Sequence, residues 1–351
     1  MTQEQIYHNI AQRTGGDIYL GVVGPVRSGK STFIKRFAEL MLLPRIKNEA
    51  RRARAHDELP QSAAGRTIMT TEPKFIPEKA VRIDLSGGGS FKARLIDCVG
   101  YMVDGALGHE ENEAPRLVKS PWFDHEVSFD LAAETGTHCV IREHATIGLV
   151  VTTDGSVADL PREAYLDAER RIIAELNDSG KPYVILLNCA EPDSDDARRL
   201  ATELAERYAH AVVPLNCTTM TVETLDSLLQ TLLYEFPIRE IAVRMPGWVT
   251  MLESGHWLQS AIYTAMLEFA ASVHKMADLA GRRPQLGCEY ITSASLTGMD
   301  LASGSVGINA VVAPDIFYKI LGEQTGLDIV DEASLLPCVV SLARAKRAYD
   351  K

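Results

Sequence analysis

The sequence predicts a doubly wound α/β domain with a mostly parallel sheet, followed by a smaller α+β domain. Apolar strand-like runs alternate with segments of helical periodicity over about the first 238 residues, a pattern typical of parallel sheets. A glycine-rich loop lies between the first strand and the next helix. The alternation of strands and helices changes after Phe236-Pro237. We therefore expect two domains, at 1–238 and 239–351.

Each element of the first domain is predicted from apolar spacing and from the residues that end it. The first elements are a helix at 3–13 ending at a glycine pair, a strand at 17–23, a helix from 30 that stops before a proline, a long polar connection at 44–75, a hairpin at 81–85 and 92–97 around a Ser-Gly turn, a loop-rich insertion at 101–130 and a helix at 131–145. The rest are a strand at 146–154, a proline-opened helix at 161–180, a strand at 183–188, a charged helix at 195–208, a strand at 211–215 and a helix at 222–235.

The second domain is predicted to be α+β. The pattern gives a short strand at 239–244, a helix at 255–279, a strand pair on either side of residue 300, and helices at 314–321 and 332–350. This region contains no catalytic constellation, so we interpret it as an interaction module. The chain ends in a helix without a cap, and we expect that further chain followed it.

Composition excludes several function classes. The formal net charge of -11 argues against a large nucleic-acid footprint, so we expect no nucleic-acid partner. The six cysteines show no C-x-x-C spacing, so neither a zinc site nor a thioredoxin-like motif is indicated. No apolar run approaches the roughly 18 residues of a membrane span, and the first residues do not resemble a signal peptide. These features predict a cytoplasmic protein.

One motif points directly to phosphate chemistry. Residues 24–31 read GPVRSGKS and fit the P-loop pattern G-x-x-x-x-G-K-[ST], in which backbone amides surround the phosphates. Lys30 would reach the β- and γ-phosphates, and Ser31 would ligate Mg²⁺. The sequence therefore predicts a P-loop NTPase. The expected nucleotide-binding residues are Gly24, Pro25, Val26, Arg27, Ser28, Gly29, Lys30, Ser31 and Thr32.

A second motif, Asp97-x-x-Gly100, follows an apolar strand. An aspartate in this position can hold the Mg²⁺ shell, and the glycine lets the backbone approach the γ-phosphate. The next residue is Tyr101, where many GTPases have a water-positioning glutamine, so we expect Thr70 and Thr71 in the long connection to help instead. Three cations could neutralise charge in the transition state, although the solvated surface role is favoured for each: Arg27, Arg66 and Lys74.

The segment after the strand at 183–188 bears on which base is bound. Many GTPases read guanine with Asn-Lys-x-Asp, whereas this chain has Asn188, Cys189, Ala190 and Glu191. Cys189 is too short to cover a base, and Glu191 is one methylene longer than the aspartate that binds guanine. The sequence therefore favours adenine, and ATP with Mg²⁺ as the bound species.

These stretches together resemble the stage IV sporulation protein A family, the spore-coat morphogenetic ATPases of endospore-forming bacteria. The resemblance is carried by QRTGGDIYLGVVG, GPVRSGKSTFIKRF, RARAHDELPQSAAGRTIMTTEPKFIP, LIDCVGY and LYEFPIREI, and it runs from about residue 5 to the end. Its members are longer, with a C-terminal region beyond the last helix of this chain. The resemblance implies a P-loop fold of the translation-factor-GTPase type.

The same resemblance implies a function. It implies ATP hydrolysis that drives self-assembly into static filaments, which form a basement layer on the outer forespore membrane in the mother-cell cytoplasm. Implied partners are other copies of the protein, other spore-coat morphogenetic proteins and a small amphipathic membrane peptide. Implied catalytic residues are Lys30, Asp97 and the threonines Thr70 and Thr71. Two alternatives stay open: a GTPase switch without polymerisation, and a kinase-like transferase, although no second-substrate motif is present.

Overall fold

The structure is a computed structural model that describes residues 1–60, 73–84, 90–105, 110–111, 114–157 and 160–350. The chain divides into two compact units. The first contains Met1–Pro237 with Leu301–Ser303, and the second contains Ile238–Asp300 with Gly304–Lys351.

The first unit is an α/β unit with helices and strands in alternation. Its elements are α1 (Gln3–Thr14), β1 (Asp17–Val23), α2 (Lys30–Phe37), α3 (Glu49–Asp57), β2 (Lys74–Asp84), β3 (Ser90–Asp97), the two-residue strands β4 (Glu110–Glu111), β5 (Ala114–Pro115), β6 (Leu117–Val118) and β7 (Val127–Ser128), α4 (Phe129–Cys139), β8 (Ile147–Thr153), α5 (Leu166–Ser179), β9 (Tyr183–Asn188), α6 (Asp195–Tyr208), β10 (Val212–Leu215) and α7 (Val222–Glu235). Irregular helical turns extend α2 over Ala38–Leu42 and Leu43–Arg45, extend α4 over Val140–His144 and precede α5 at Arg162–Tyr165.

The central sheet has six strands in the order β10-β9-β8-β1-β3-β2. Neighbours run parallel except β2, which is antiparallel to β3, so the predicted mostly parallel sheet is confirmed. The register places Val22 beside Asp97 and Asn188 beside both Thr153 and Leu215. The carboxyl ends of the parallel strands therefore share one edge, where open α/β sheets bind their ligands.

The middle strands of the sheet are buried on both faces. Every residue of β8 and of β9 is buried, as expected for parallel strands covered by helices on both sides. Helix α5 turns its apolar face onto these strands through Ile172, Ile173 and Leu176. This packing makes the sheet a rigid support for the loops at its carboxyl edge.

The prediction that 44–75 is only a polar connection is wrong, because helix α3 lies within it. Asn48 caps this helix, and its side chain accepts a hydrogen bond from the Arg51 amide at 2.9 Å. Ala55 alone is buried in α3, so the helix has no apolar face that periodicity could detect. Arginine, alanine and glutamate are nevertheless strong helix formers. The part of this connection at 61–72 lies outside the described residues.

The second unit combines a three-stranded sheet with helices. Its elements are β11 (Glu240–Arg244), α8 (Gly247–Thr250), α9 (Trp257–Ser272), α10 (Met276–Leu279), β12 (Ile291–Asp300), β13 (Ser305–Val312), α11 (Pro314–Thr325) and α12 (Glu332–Tyr349). The sheet order is β11-β13-β12, with β11 parallel and β12 antiparallel to β13. Its core packs α9 against α11 through Leu258, Ile262, Ile316 and Ile320.

The single helix predicted at 255–279 is divided in the structure. Val273 is extended, with φ -116° and ψ 125°, and ends α9. The Asp278 carboxylate then accepts hydrogen bonds from the amides of His274 and Lys275 and starts α10. A β-branched residue and a local side-chain cap therefore interrupt what apolar spacing presents as continuous. Within the described part of the chain, no helix is both long and apolar enough to cross a membrane.

Candidate nucleotide site

The P-loop leaves β1 and enters α2 at the carboxyl edge of the sheet. Gly24 has φ +151°, and a Cβ there would lie 2.2 Å from the Val151 carbonyl oxygen of β8. Gly29 has φ +103°, and a Cβ there would lie 2.2 Å from Nδ2 of Asn188. Both positions therefore require glycine, because the loop is curled tightly against its neighbours. Arg27 also adopts a left-handed conformation, with φ +65°.

Lys30 lies buried under this loop. Its ammonium donates hydrogen bonds to the carbonyl oxygens of Gly24 and Pro25 at 3.1 and 2.7 Å. Burial lowers the pKa of Lys30, and the charges of Cys98 and Asp97 partly offset that effect. The Ser28 hydroxyl is also buried and has no hydrogen-bond partner among the described residues. Both polar groups are therefore prepared for an incoming acceptor, which is what a phosphate supplies.

Asp97 ends β3 beside the P-loop. Burial raises the pKa of its carboxyl to about 6, while Lys30, Lys74 and a hydrogen bond from the Ser31 side chain act in the opposite direction. Ser31 and Asp97 thus bring a hydroxyl and a carboxylate together, and hard oxygen ligands of this kind suit Mg²⁺. Among the described residues, no cluster of three or more acidic, histidine or cysteine side chains could hold a metal alone. The donor set fits a divalent ion that takes its remaining ligands from phosphates and water.

Gly100 and Tyr101 lock the loop after β3 onto the P-loop. A Cβ at Gly100 would lie 1.9 Å from the Gly24 carbonyl oxygen and 2.7 Å from the Lys30 nitrogen. The Val26 amide donates a hydrogen bond to the Tyr101 carbonyl oxygen at 2.9 Å. The Tyr101 ring is buried, and its hydroxyl donates to Glu175 of α5. That engagement removes the Tyr101 side chain from any part in positioning water.

Asn188 braces the site from the end of β9. Its Nδ2 donates to the Ser28 carbonyl oxygen at 3.0 Å, and its Oδ1 accepts from the Cys217 amide at 3.1 Å. One side chain therefore joins the P-loop to the loops after β9 and β10. Cys189 is fully buried, whereas Glu191 is exposed. The bracing role of Asn188 was not predicted, although a polar residue at a strand end in such a sheet is a usable signal.

A buried ion pair supports the end of β8 and was also missed. Glu169 of α5 is fully buried, and Arg162 binds it through two nitrogens at 2.7 and 2.8 Å. Thr152 and Tyr208 donate further hydrogen bonds to the same carboxylate. A buried charge that lost its partner would be strongly destabilising. The pair thus holds the end of β8 at Thr152. Thr152 directly follows Val151, and the Val151 carbonyl oxygen lies against Gly24.

Some of the predicted site residues lie outside the described part of the chain. Those of the P-loop lie together with Asp97 and Gly100, as described above. Lys74 is exposed and lies opposite Asp97 in the register of β2 and β3. Arg66, Thr70 and Thr71 lie outside the described residues.

The raised pKa of Asp97 predicts a pH dependence of stability. In the unfolded chain the pKa of this carboxyl is near its ordinary value of 3.8, but burial in the fold raises the pKa to about 6. Stability from this group is therefore fully present below 3.8 and is lost as pH rises through 6. We expect Asp97→Asn to raise the free energy of unfolding above that of the parent. This gain should be about 1 kcal/mol larger at pH 7.5 than at pH 5. Urea unfolding at both pH values, with the exposed Asp178→Asn as control, measures this; an equal difference at both would contradict it.

Comparison with known proteins identifies two consecutive family domains along the chain. The family model for the stage IV sporulation protein A ATPase domain matches residues 1–237, and the model for the middle domain of the same protein matches 238–351. A stage IV sporulation protein A from Bacillus subtilis (strain 168) is 44% identical over 353 residues, covering 100% of this chain and 72% of the relative. Those from Bacillus anthracis and Clostridioides difficile (strain 630) are 43% and 42% identical, over 100% and 99% of this chain and 72% and 71% of the relatives.

Proposed function

The chain belongs to the stage IV sporulation protein A family, and we propose that its ATP hydrolysis drives copies of it to assemble into a filamentous basement layer for the spore coat. Its ATPase domain makes it a sporulation ATP hydrolase. The observation that carries the proposal is the single site formed by the P-loop, Asp97 and Gly100, with the guanine-reading lysine absent. This site supports nucleotide hydrolysis, on which the proposed assembly would depend.

The sheet supports an origin among translation-factor-type GTPases. The P-loop strand β1 lies between β8 and β3, and the only antiparallel strand of the described central sheet, β2, forms one edge. Asn188 keeps the position of the asparagine in the guanine-reading motif and braces the P-loop. The proposed descent is therefore one in which the fold was kept while the base-reading residues changed.

Each residue of the site has a proposed role. The P-loop amides of 27–32 would bind the phosphates, and Lys30 would exchange two neutral carbonyl acceptors for charged oxygens. Ser31 and Asp97 would hold Mg²⁺, which when bound neutralises charge on the β- and γ-oxygens. Thr70 and Thr71 would orient the attacking water.

The partners and the location belong to the same proposal. We propose that the protein acts on the mother-cell side of the outer forespore membrane, with other copies of itself, other coat morphogenetic proteins and a small amphipathic membrane peptide as partners. The second unit, 238–351, would supply interaction surfaces. No large nucleic-acid surface is proposed, given the net charge of -11.

ATP should bind more tightly than GTP. Cys189 is short and fully buried, so its side chain cannot cover a guanine as a lysine stem does. We expect at least tenfold preference for ATP in competition binding with a fluorescent nucleotide. A preference for GTP would instead favour a GTPase switch, the second candidate, which the retained Asn188 brace supports.

Sedimentation tests the link between turnover and assembly. The protein is incubated with ATP, with ADP or with a non-hydrolysable ATP analogue, and the pelleted fraction is compared with phosphate release. Of the three nucleotides, we expect only ATP to give filaments that pellet. Equal pelleting with all three, or turnover with no pelleting, would overturn the proposed coupling.

A further inference from the structure

The Asn216 side chain makes three hydrogen bonds at the turn after β10, residues 216–219. Asn216 donates from Nδ2 to the Ala190 carbonyl oxygen at 3.1 Å. Its Oδ1 accepts from the Thr218 amide at 2.9 Å and from the Thr218 hydroxyl at 2.6 Å. Asn216 therefore joins this turn to the turn after β9, residues 188–191, and occupies the backbone donor of Thr218.

Other amides of the two turns are also occupied. The Cys217 amide donates to Asn188, as described above. The Ala190 amide donates to the Ser156 hydroxyl at 2.8 Å, and that hydroxyl donates in turn to the Asp154 carboxylate at 2.6 Å. The Glu191 carboxylate, an acceptor, is exposed on the turn after β9. The surface thus presents this acceptor while these donors are occupied within the protein.

The two turns lie where a purine is expected if phosphate occupies the P-loop. Asn188 joins them to the Ser28 carbonyl oxygen, and both follow parallel strands at the ligand-binding edge of the sheet. Adenine and guanine differ at position 6, where adenine carries an amino donor and guanine an oxygen acceptor. A surface with occupied donors pairs with the first and leaves the second unpaired, which polar sites discriminate strongly.

We propose that Asn216 is a specificity-determining residue, which occupies the Thr218 amide so that the turn accepts the 6-amino group of adenine and rejects a 6-oxo group. The inference deepens the proposed function, since it rests on a nucleotide whose phosphates occupy the P-loop. Asn216 acts on the base through the Thr218 amide. Its removal should expose a donor suited to the oxygen of guanine.

Three nucleotides test the unaltered protein without any substitution. ATP, inosine triphosphate and purine riboside triphosphate share the sugar and phosphates and carry, at position 6, an amino group, an oxygen and a hydrogen. In equilibrium binding we expect inosine triphosphate to bind at least tenfold more weakly than ATP, and more weakly than purine riboside triphosphate. Inosine triphosphate that binds as tightly as ATP overturns the proposal.

Two variants isolate the amide. Asn216→Ala and Asn216→Asp both lose the bond to Ala190, but the aspartate keeps an acceptor for the Thr218 amide. We expect Asn216→Ala to lower the preference for ATP over inosine triphosphate at least tenfold, equivalent to about 1.4 kcal/mol. Asn216→Asp should stay within about threefold of the parent. An unchanged preference in Asn216→Ala, or equal losses in both variants, contradicts the assignment.

The outcomes separate this proposal from the proposed function. Binding is measured as displacement of a fluorescent ATP analogue, while hydrolysis and sedimentation are measured separately on the same protein. If ATP-driven sedimentation is absent while the preference for ATP is intact, the proposed assembly is contradicted and the role of Asn216 is not. A thermal unfolding curve checks each variant, and if Asn216→Ala is unfolded the three-nucleotide comparison decides the proposal.

Discussion

Lys30→Ala is expected to weaken ATP binding at least tenfold. Lys30 is the cation buried under the P-loop, 2.7 Å from the Pro25 carbonyl oxygen. A charge-assisted contact contributes roughly 1.5–3 kcal/mol, and a loss of at least tenfold in affinity follows from the lower bound. Hydrolysis should fall with binding, because the same ammonium would neutralise the β- and γ-oxygens.

The nucleotide-free fold should survive this substitution. Burial lowers the pKa of Lys30, which means that the charged ammonium is held at a cost in the absence of phosphate. Lys35→Ala, five residues further along α2 at a partly exposed position, is a matched control that should bind ATP normally. Isothermal titration of both variants gives the comparison, and unchanged ATP affinity in Lys30→Ala would remove the P-loop from the mechanism.

The P-loop and the sheet were predictable because their signals are local. A glycine pattern between an apolar strand and a helix fixes both the loop and the edge at which it lies. Strands such as β9 are continuous apolar runs, so periodicity and length locate them. The position of Asp97 beside the P-loop then follows, because parallel strands end at a common edge.

The braces were not predictable, because each joins residues far apart in sequence. Asn188 contacts Ser28 across 160 positions, and Cys217 across 29. The pairing of Arg162 with Glu169 depends on burial, which no local pattern reveals for a charged residue. Helix α3 was missed for the opposite reason, since it is local but almost wholly polar. Sequence therefore located the phosphate site but not the contacts that hold it in shape.

The double variant Thr70→Ala with Thr71→Ala should separate nucleotide binding from hydrolysis. Lys74 begins β2 directly opposite Asp97, so the chain enters the sheet at the site. The predicted phosphate contacts come from the P-loop itself, so ATP affinity should stay within about threefold of the parent.

Hydrolysis in this variant should fall at least about 10²-fold, the loss typical of a positioned catalytic group. The fall should be large because Tyr101, which follows Gly100 where a glutamine could act, has its hydroxyl bound to Glu175. Thr202→Ala, at an exposed position on α6, is the matched threonine control and should hydrolyse ATP normally. Phosphate release and ATP affinity, measured on both variants, give the result.

The same variant decides whether turnover or occupancy drives assembly. If hydrolysis changes the conformation that exposes the assembly surface, the double variant should bind ATP and yet stay in the supernatant during sedimentation. Normal hydrolysis would remove Thr70 and Thr71 from the mechanism. Filaments formed without hydrolysis would show that bound ATP alone is sufficient, since the P-loop contacts are intact in this variant and only the step after binding is impaired.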